Sequence, residues 1–240
     1  MTNQQQAQLT CVSLTGADDK TNIDTLELLG HQFPFVEWAL LYVPGDTGSP
    51  RNPTRVWRDR FFERQVKGSS AVHLCFKAPF EQILAGTLPS DLLRADRLQL
   101  NINARNLDFS DAEVYEVYQR ALDLGPELIL QYQSVTAPVV ERFLQNLDAA
   151  NRARVHVLLD ESRGTGQTPS HWSVPSTVEA AYCGFAGGLG PDNISVVLQT
   201  LQTLGRRYWV DMESRIRTNN EFDFSKVLKV LQAAAWYFDN

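Results

Sequence analysis

Three cysteines, four histidines and two methionines in 240 residues leave little material for a disulfide framework or a metal centre. Cys11, Cys75 and Cys183 are odd in number, far apart, and each sits in an apolar run, so they read as free buried thiols. His31, His73, His156 and His171 are scattered, and neither Cys-x-x-Cys nor His-x-x-x-His spacing occurs, so no metal site is expected. Positive charge is also short: 22 Lys and Arg against 28 Asp and Glu give a formal net charge of −6. That balance removes any global attraction to nucleic-acid backbones or anionic lipid, so neither is expected as a partner and an anion must be held locally. No run approaches the roughly 18 apolar residues of a membrane span. The polar start MTNQQQAQ lacks the basic-then-apolar pattern of a secretory signal, and a cytoplasmic protein is expected.

What is present is ordinary globular material, 43% hydrophobic and 21% charged, over a length that can bury one large core. Short apolar runs alternate with stretches of helical periodicity, the pattern of a parallel sheet wrapped by helices. The runs are Leu9–Leu14, Glu37–Val43, Ala71–Phe76, Arg97–Ile102, Glu127–Gln131, Val155–Leu159, Glu179–Phe185 and Tyr208–Met212. Eight such runs suit a closed α/β barrel, and with no linker between two cores residues 1–240 read as one domain. Ser110-Asp-Ala-Glu113 is a capping box that opens a helix over Asp111–Leu124, closed by Gly125. Thr54 caps a stretch Arg55–Gln65, Thr136 one that runs through Ala149, and Pro191 starts one that ends at Leu204. Ser225–Phe238 carries an apolar stripe suited to the barrel wall.

A parallel barrel builds its site where strands end, which directs attention to the residues just past each run. After the seventh comes Gly184-Phe-Ala-Gly-Gly-Leu-Gly-Pro-Asp-Asn193, a candidate phosphate cradle in which glycine lets backbone amides approach an anion. The bland alternative is a turn that needs glycine only for its backbone angles. After the eighth, Asp211 and Glu213 oppose Arg215 and Arg217, either an anion-binding group or an exposed ion-pair cluster. The sixth run delivers Asp160, a candidate general acid if burial raises its pKa, or else a structural cap.

Several of these fragments together, in order along nearly the whole chain, resemble the phosphoribosylanthranilate isomerase family, small TIM-barrel enzymes of tryptophan biosynthesis. Ala186-Gly-Gly-Leu-Gly-Pro-Asp-Asn193 is similar to the family's Ala-Gly-Gly-Leu-x-Pro-(Glu/Asp)-Asn. Leu158-Leu-Asp160 with Gly164-Thr-Gly166 resembles its Leu-Leu-Asp followed by Gly-Gly-Thr-Gly, and Ser49-Pro-Arg51 its Ser-x-Arg. Val210-Asp211 with Ser214 resembles Val-Asp-x-Ser-Ser-Gly-Val-Glu, and Arg97-Leu-Gln-Leu100 the Val-Gln-Leu-His strand.

The resemblance implies a single-domain (β/α)8 TIM barrel and an isomerase reaction, the Amadori rearrangement of an N-phosphoribosyl aminoaldose to an aminoketose. It implies general acid/base catalysis without a cofactor, on a small phosphorylated substrate, by a monomer or homodimer. Position by position, Asp160 falls on the general acid, Arg51 on the arginine that contacts the anthranilate portion, and Gly187, Gly188 and Ser214 on phosphate-binding positions. Asp211 and Arg215 join the substrate-binding set from their place beyond the eighth run.

The family's base is a cysteine in Lys-x-Cys-Gly-(Ile/Leu)-Thr. Alignment on Leu14-Thr15 puts Val12 there and turns Cys11 into the wall, unless a one-residue bulge brings Cys11 inward as the candidate base. Asn101 stands for the family's histidine, and Glu213-Ser-Arg-Ile-Arg217 for its Ser-Ser-Gly-Val-Glu. These departures keep two alternatives open. One is a divergent paralogue that binds or converts another phosphorylated or anionic small molecule, the other a non-catalytic binding protein.

Overall fold

The computed structural model describes residues 8–102, 109–160, 168–169 and 171–239. The Gly164-Thr-Gly166 match lies outside the described residues. Eight strands, β1 (Gln8–Thr15), β2 (Val36–Tyr42), β3 (Ser69–Cys75), β4 (Arg97–Asn101), β5 (Glu127–Tyr132), β6 (Val155–Asp160), β7 (Tyr182–Ala186) and β8 (Arg207–Met212), close in chain order into a parallel barrel. The helices are α1 (Ile23–Gln32), α2 (Arg55–Glu63), α3 (Lys77–Ala85), α4 (Asp111–Leu122), α5 (Ala137–Gln145), α6 (Ala149–Arg152), α7 (Ile194–Gln202) and α8 (Phe224–Asp239). None is long and apolar enough to cross a membrane among the described residues.

Local chemistry explains most of the boundaries. The Ser110 box caps α4 from both sides, with Ser110 Oγ accepting from Glu113 N and the Glu113 carboxylate accepting from Ser110 N. Thr54 caps α2 through Trp57 N. The helix expected from Thr136 to Ala149 breaks in two, because Asp148 accepts from Asn151 N and caps a new short turn. The β7 strand starts at Tyr182, three residues later than expected, because Ser176–Val178 form a 3-10 turn and Ala181 N donates back to Val178 O.

Alternation along each strand divides the core in two. On β8, Tyr208, Val210 and Met212 point outward into the large cluster between barrel and helices, while Trp209 points inward with Ile129, Leu158 and Ala186. On β4, Leu98 and Leu100 point outward and Arg97 inward. Arg97 sets its guanidinium 4.8 Å above the Trp209 ring and holds Glu37 with two bonds, of 2.6 and 2.7 Å. Burial opposes the Glu37 charge, but the Arg97 pair outweighs it and holds the carboxyl below the ordinary range. Gly184, beside Trp209 in register, admits this ring: a Cβ there would lie 2.0 Å from the indole.

Candidate functional site at the barrel mouth

The carboxyl ends of β6, β7 and β8 enclose a cavity of about 110 Å³. Asp160, Gly187, Gly188, Asp211, Ser214 and Arg215 all line it. Arg51 and Cys11, also singled out from the sequence, do not. A larger cleft of about 370 Å³ lies between the β1–α1 loop and helices α1 and α2, beside Trp57 and Arg64, and holds none of the site residues singled out from the sequence.

The β7–α7 turn has the backbone of a cradle. Gly187 and Gly188 adopt φ of +120° and +59°, values a side chain would resist. Asn193, at the α7 N-cap, makes no capping bond to the helix. Its side chain instead accepts from Gly190 N and donates to Gly188 O, each at 2.9 Å, which staples the loop and leaves the first-turn amides of α7 uncapped by it. Gly190 gives Arg215 room to lie along the turn, since a Cβ there would meet the Arg215 Cβ at 2.5 Å. Backbone amides at a helix start with an arginine alongside are donors suited to a phosphate group.

Two carboxylates face the same space. Asp160 is in register with Ala186, and Ala186 with Asp211, so the acids stand at one level with only a methyl group between their strands. Gln131 Nε2 donates to Asp160 Oδ2 at 3.2 Å. Thr15 Oγ1 donates to Asp211 Oδ1 at 2.7 Å and orients it. Burial, reinforced by the charges of Glu37 and Asp160, pushes the Asp211 carboxyl up to about 7 despite bonds from hydroxyl donors on β1. A group balanced between acid and carboxylate near neutral pH therefore sits at the mouth.

At the rim Arg51 is held by charge. Its Nη1 donates to Glu213 Oε1 at 2.6 Å, its Nε to Asn220 Oδ1, and its main-chain N to Asp18 Oδ2. Arg51 itself has φ +77°, a strained value for a non-glycine residue. Arg217 does not reach the mouth: it is buried, bonded to Gly16 O, Asp18 Oδ2 and Asn220 O, and ties the loops after β1 and β8 together. Thr15 and Asp18, which orient Asp211 and Arg51, are contributions that no motif of the sequence announces.

The strand-one question resolves in the barrel. The register between β1 and β8 slips between Leu9 and Cys11, the bulge that turning Cys11 inward requires. Cys11 then pairs with Trp209, two positions below the level where Ser13 meets Asp211. It packs with Trp209 and Tyr182, and Arg97 Nη2 lies 3.9 Å from its sulfur. Burial drives its thiol far above the ordinary range, toward the uncharged form. Val12 is fully buried in the outer cluster. Asn101 donates to Cys75 Sγ and accepts from Gln99, closing a polar chain with His73 on the opposite wall.

The closed (β/α)8 barrel, with a glycine turn after β7 and two carboxylates lining one cavity at its carboxyl face, is a TIM barrel. Residues 117–233 match the family model of N-(5'phosphoribosyl)anthranilate (PRA) isomerase. The match spans the β5–β8 side of the barrel, so that side is what is similar to the phosphoribosylanthranilate isomerase family. The fold is similar to that of phosphoribosyl anthranilate isomerase from Thermus thermophilus, with a TM-score of 0.61, 17% identity, and coverage of 94% of this chain and 98% of that one. It is likewise similar to N-(5'-phosphoribosyl)anthranilate isomerase from Pyrococcus furiosus, with a TM-score of 0.56, 14% identity and the same coverage. No curated protein sequence matches the chain.

Proposed function

We propose that this protein is an isomerase of phosphoribosylanthranilate, carrying out an Amadori rearrangement at the mouth of its barrel in the cytoplasm. One observation carries the reading: the Asp160 carboxyl and the Gly187-Gly188 turn open into a single cavity, so a proton donor lies within a sugar's length of a phosphate cradle. The substrate phosphate sits against the backbone of Gly187 and Gly188, with Ser214 and Arg215 closing over it. Asp160 donates its proton to the furanose ring oxygen as the C1–O bond breaks, and the anthranilate nitrogen stabilises the resulting iminium ion. A base then removes the C2 proton, and the enaminol becomes the aminoketose. The rearrangement moves protons without net oxidation or reduction, so the chemistry asks for no redox cofactor. Arg51 stands at the rim as the cation for the anthranilate carboxylate, an exchange that requires it to loosen its bond to Glu213.

The test is turnover of freshly generated phosphoribosylanthranilate, followed as loss of its anthranilate-type fluorescence. The wild-type protein is expected to consume it. Asp160→Asn is expected to lower kcat by about 10²–10⁴-fold, the usual contribution of one positioned acid. An undiminished rate in that variant removes Asp160 from the acid role.

A further inference from the structure

The reaction needs a proton acceptor, and the described cysteines supply no ready thiolate: Cys75, the lumen thiol at the end of β3, is pushed up to about 12 by burial and bonded by Asn101. Val12 faces the helices and Cys11 lies below, walled off by Trp209 and Arg97. We propose that Asp211 is the base that takes the C2 proton of the sugar, with Asp160 as the opposing donor. This assignment rests on the isomerase reading and supplies its missing residue. The geometry is direct: Asp160, Ala186 and Asp211 occupy one register level on three adjacent strands, and both carboxyls line the same cavity as the cradle. Two inter-strand spacings of about 4.8 Å separate the acids' backbones. A sugar carbon held between them meets one carboxyl on each side, because Ala186 adds only a methyl group.

The proton inventory closes. Asp160 gives its proton to the ring oxygen as C1–O breaks, which leaves Asp160 a carboxylate and C1 part of an iminium ion. The C2–H electron pair becomes the C1=C2 bond, the iminium π pair returns to nitrogen, and the proton passes to an Asp211 oxygen. In the return step Asp211 hands that proton to C1 while the C2 hydroxyl hydrogen goes to Asp160 and the C2=O bond forms. Both carboxyls end as they began.

The two carboxyls are electrostatically coupled, since negative charge on Asp160 raises the proton affinity of Asp211. The groups facing Asp211 are the hydroxyls of Ser13 and Thr15 and the thiol of Cys11 from β1, Glu37 from β2, the thiol of Cys75 from β3 and Asp160 from β6, with Glu213 and Arg215 following on its own loop. Thr15 fixes one carboxylate oxygen at 2.7 Å.

The experiment compares wild type, Asp211→Asn and Cys11→Ala in steady-state turnover of phosphoribosylanthranilate, with kcat/KM followed against pH. The expected outcome is a loss of about 10²–10⁴-fold in kcat for Asp211→Asn. KM should stay within about threefold, and Cys11→Ala should keep most of its rate. Wild-type kcat/KM should climb with pH through a midpoint near 7. A folded Asp211→Asn protein with near wild-type kcat, an equal loss in Cys11→Ala, or a limb above about pH 9, where a thiol would titrate, overturns the assignment. The last two readouts decide the matter even if Asp211→Asn does not fold. A silent wild-type protein overturns the isomerase reading itself, whereas an active wild type beside an active Asp211→Asn overturns only the base.

Discussion

The two halves of this barrel fill its interior with opposite kinds of residue. From β1 to β4 the lumen receives Glu37, His73, Arg97 and Gln99, a polar plug built around a buried bidentate ion pair. From β5 to β8 it receives mainly Ile129, Leu158, Ala186 and Trp209, with His156 against the Trp209 ring and Gln131 at the Asp160 carboxylate, a more apolar floor beneath the carboxylates and glycines of the mouth. The family match falls on the second side. A dry floor of small and apolar side chains is what raises Asp211 and leaves room for a ligand above Ala186. The charged plug pairs Glu37 with Arg97, and it reaches the mouth through Asn101 and through the Glu37 charge that helps raise Asp211. Even His73 takes no part in neutral-pH proton transfer: burial pulls it down to about 4, and the nearby Glu37 charge only partly offsets this. On the proposed reading one side holds the chemistry, and the other holds the lumen closed.

Breaking each side separately sharpens the contrast. The largest effect belongs to the mouth, where Asp160→Asn should remove about 10²–10⁴ of kcat with the unfolding transition unchanged. Next is the plug. Glu37→Ala strands a buried guanidinium and should destabilise the fold by about 3–5 kcal/mol in urea titration. The double variant Glu37→Met, Arg97→Met should recover most of that loss, because an apolar pair of similar volume needs no compensating charge. A double variant as unstable as the single one would mean that the ion pair does more than satisfy itself. Third comes Gly184→Ala, which drives a methyl group into the Trp209 ring and should cost about 1–3 kcal/mol with a change in tryptophan fluorescence. Retained stability there would show that the indole can tilt away from the Arg97 plug.

The same contrast governs what the sequence makes legible. The strands announce themselves because each is apolar on its outward positions and buried on both faces, so all eight appear as runs within a few residues of their ends. The cradle is legible because Gly187 and Gly188 must take positive φ whatever surrounds them. Helix α3 carries no such signal: its N-cap is Phe76, at φ +65° with no side-chain cap. Helix α1 does carry one, since Asn22 caps it through Thr25 N. The rim is illegible for another reason. Arg217 and Asp18 are 199 residues apart, and Arg51 and Glu213 are 162 apart, so their charges acquire meaning only when the barrel closes. Arg217 consequently reads from sequence as part of an anion site and acts in the fold as a clamp.

The smallest expected effect is the most diagnostic of how the two sides differ. Asp211 titrates from 3.8 in an open chain to about 7 in the folded barrel, so between those values the folded state keeps a proton that the unfolded state has released. Its contribution to stability is therefore present below pH 3.8, falls as pH rises toward 7, and is gone above it. An asparagine in its place cannot titrate, yet the amide oxygen can still accept from Thr15. Asp211→Asn should match wild type near pH 4 and exceed it at pH 8 by on the order of 2 kcal/mol, measured by urea unfolding at pH 4, 6 and 8. A gap that stays constant across those pH values would mean that the carboxyl is solvated at the mouth and the floor is not dry. A gap that opens with pH would identify Asp211 as a charge the barrel holds at a cost, while Glu37, more deeply buried but paired with Arg97, shows how the other side avoids that cost.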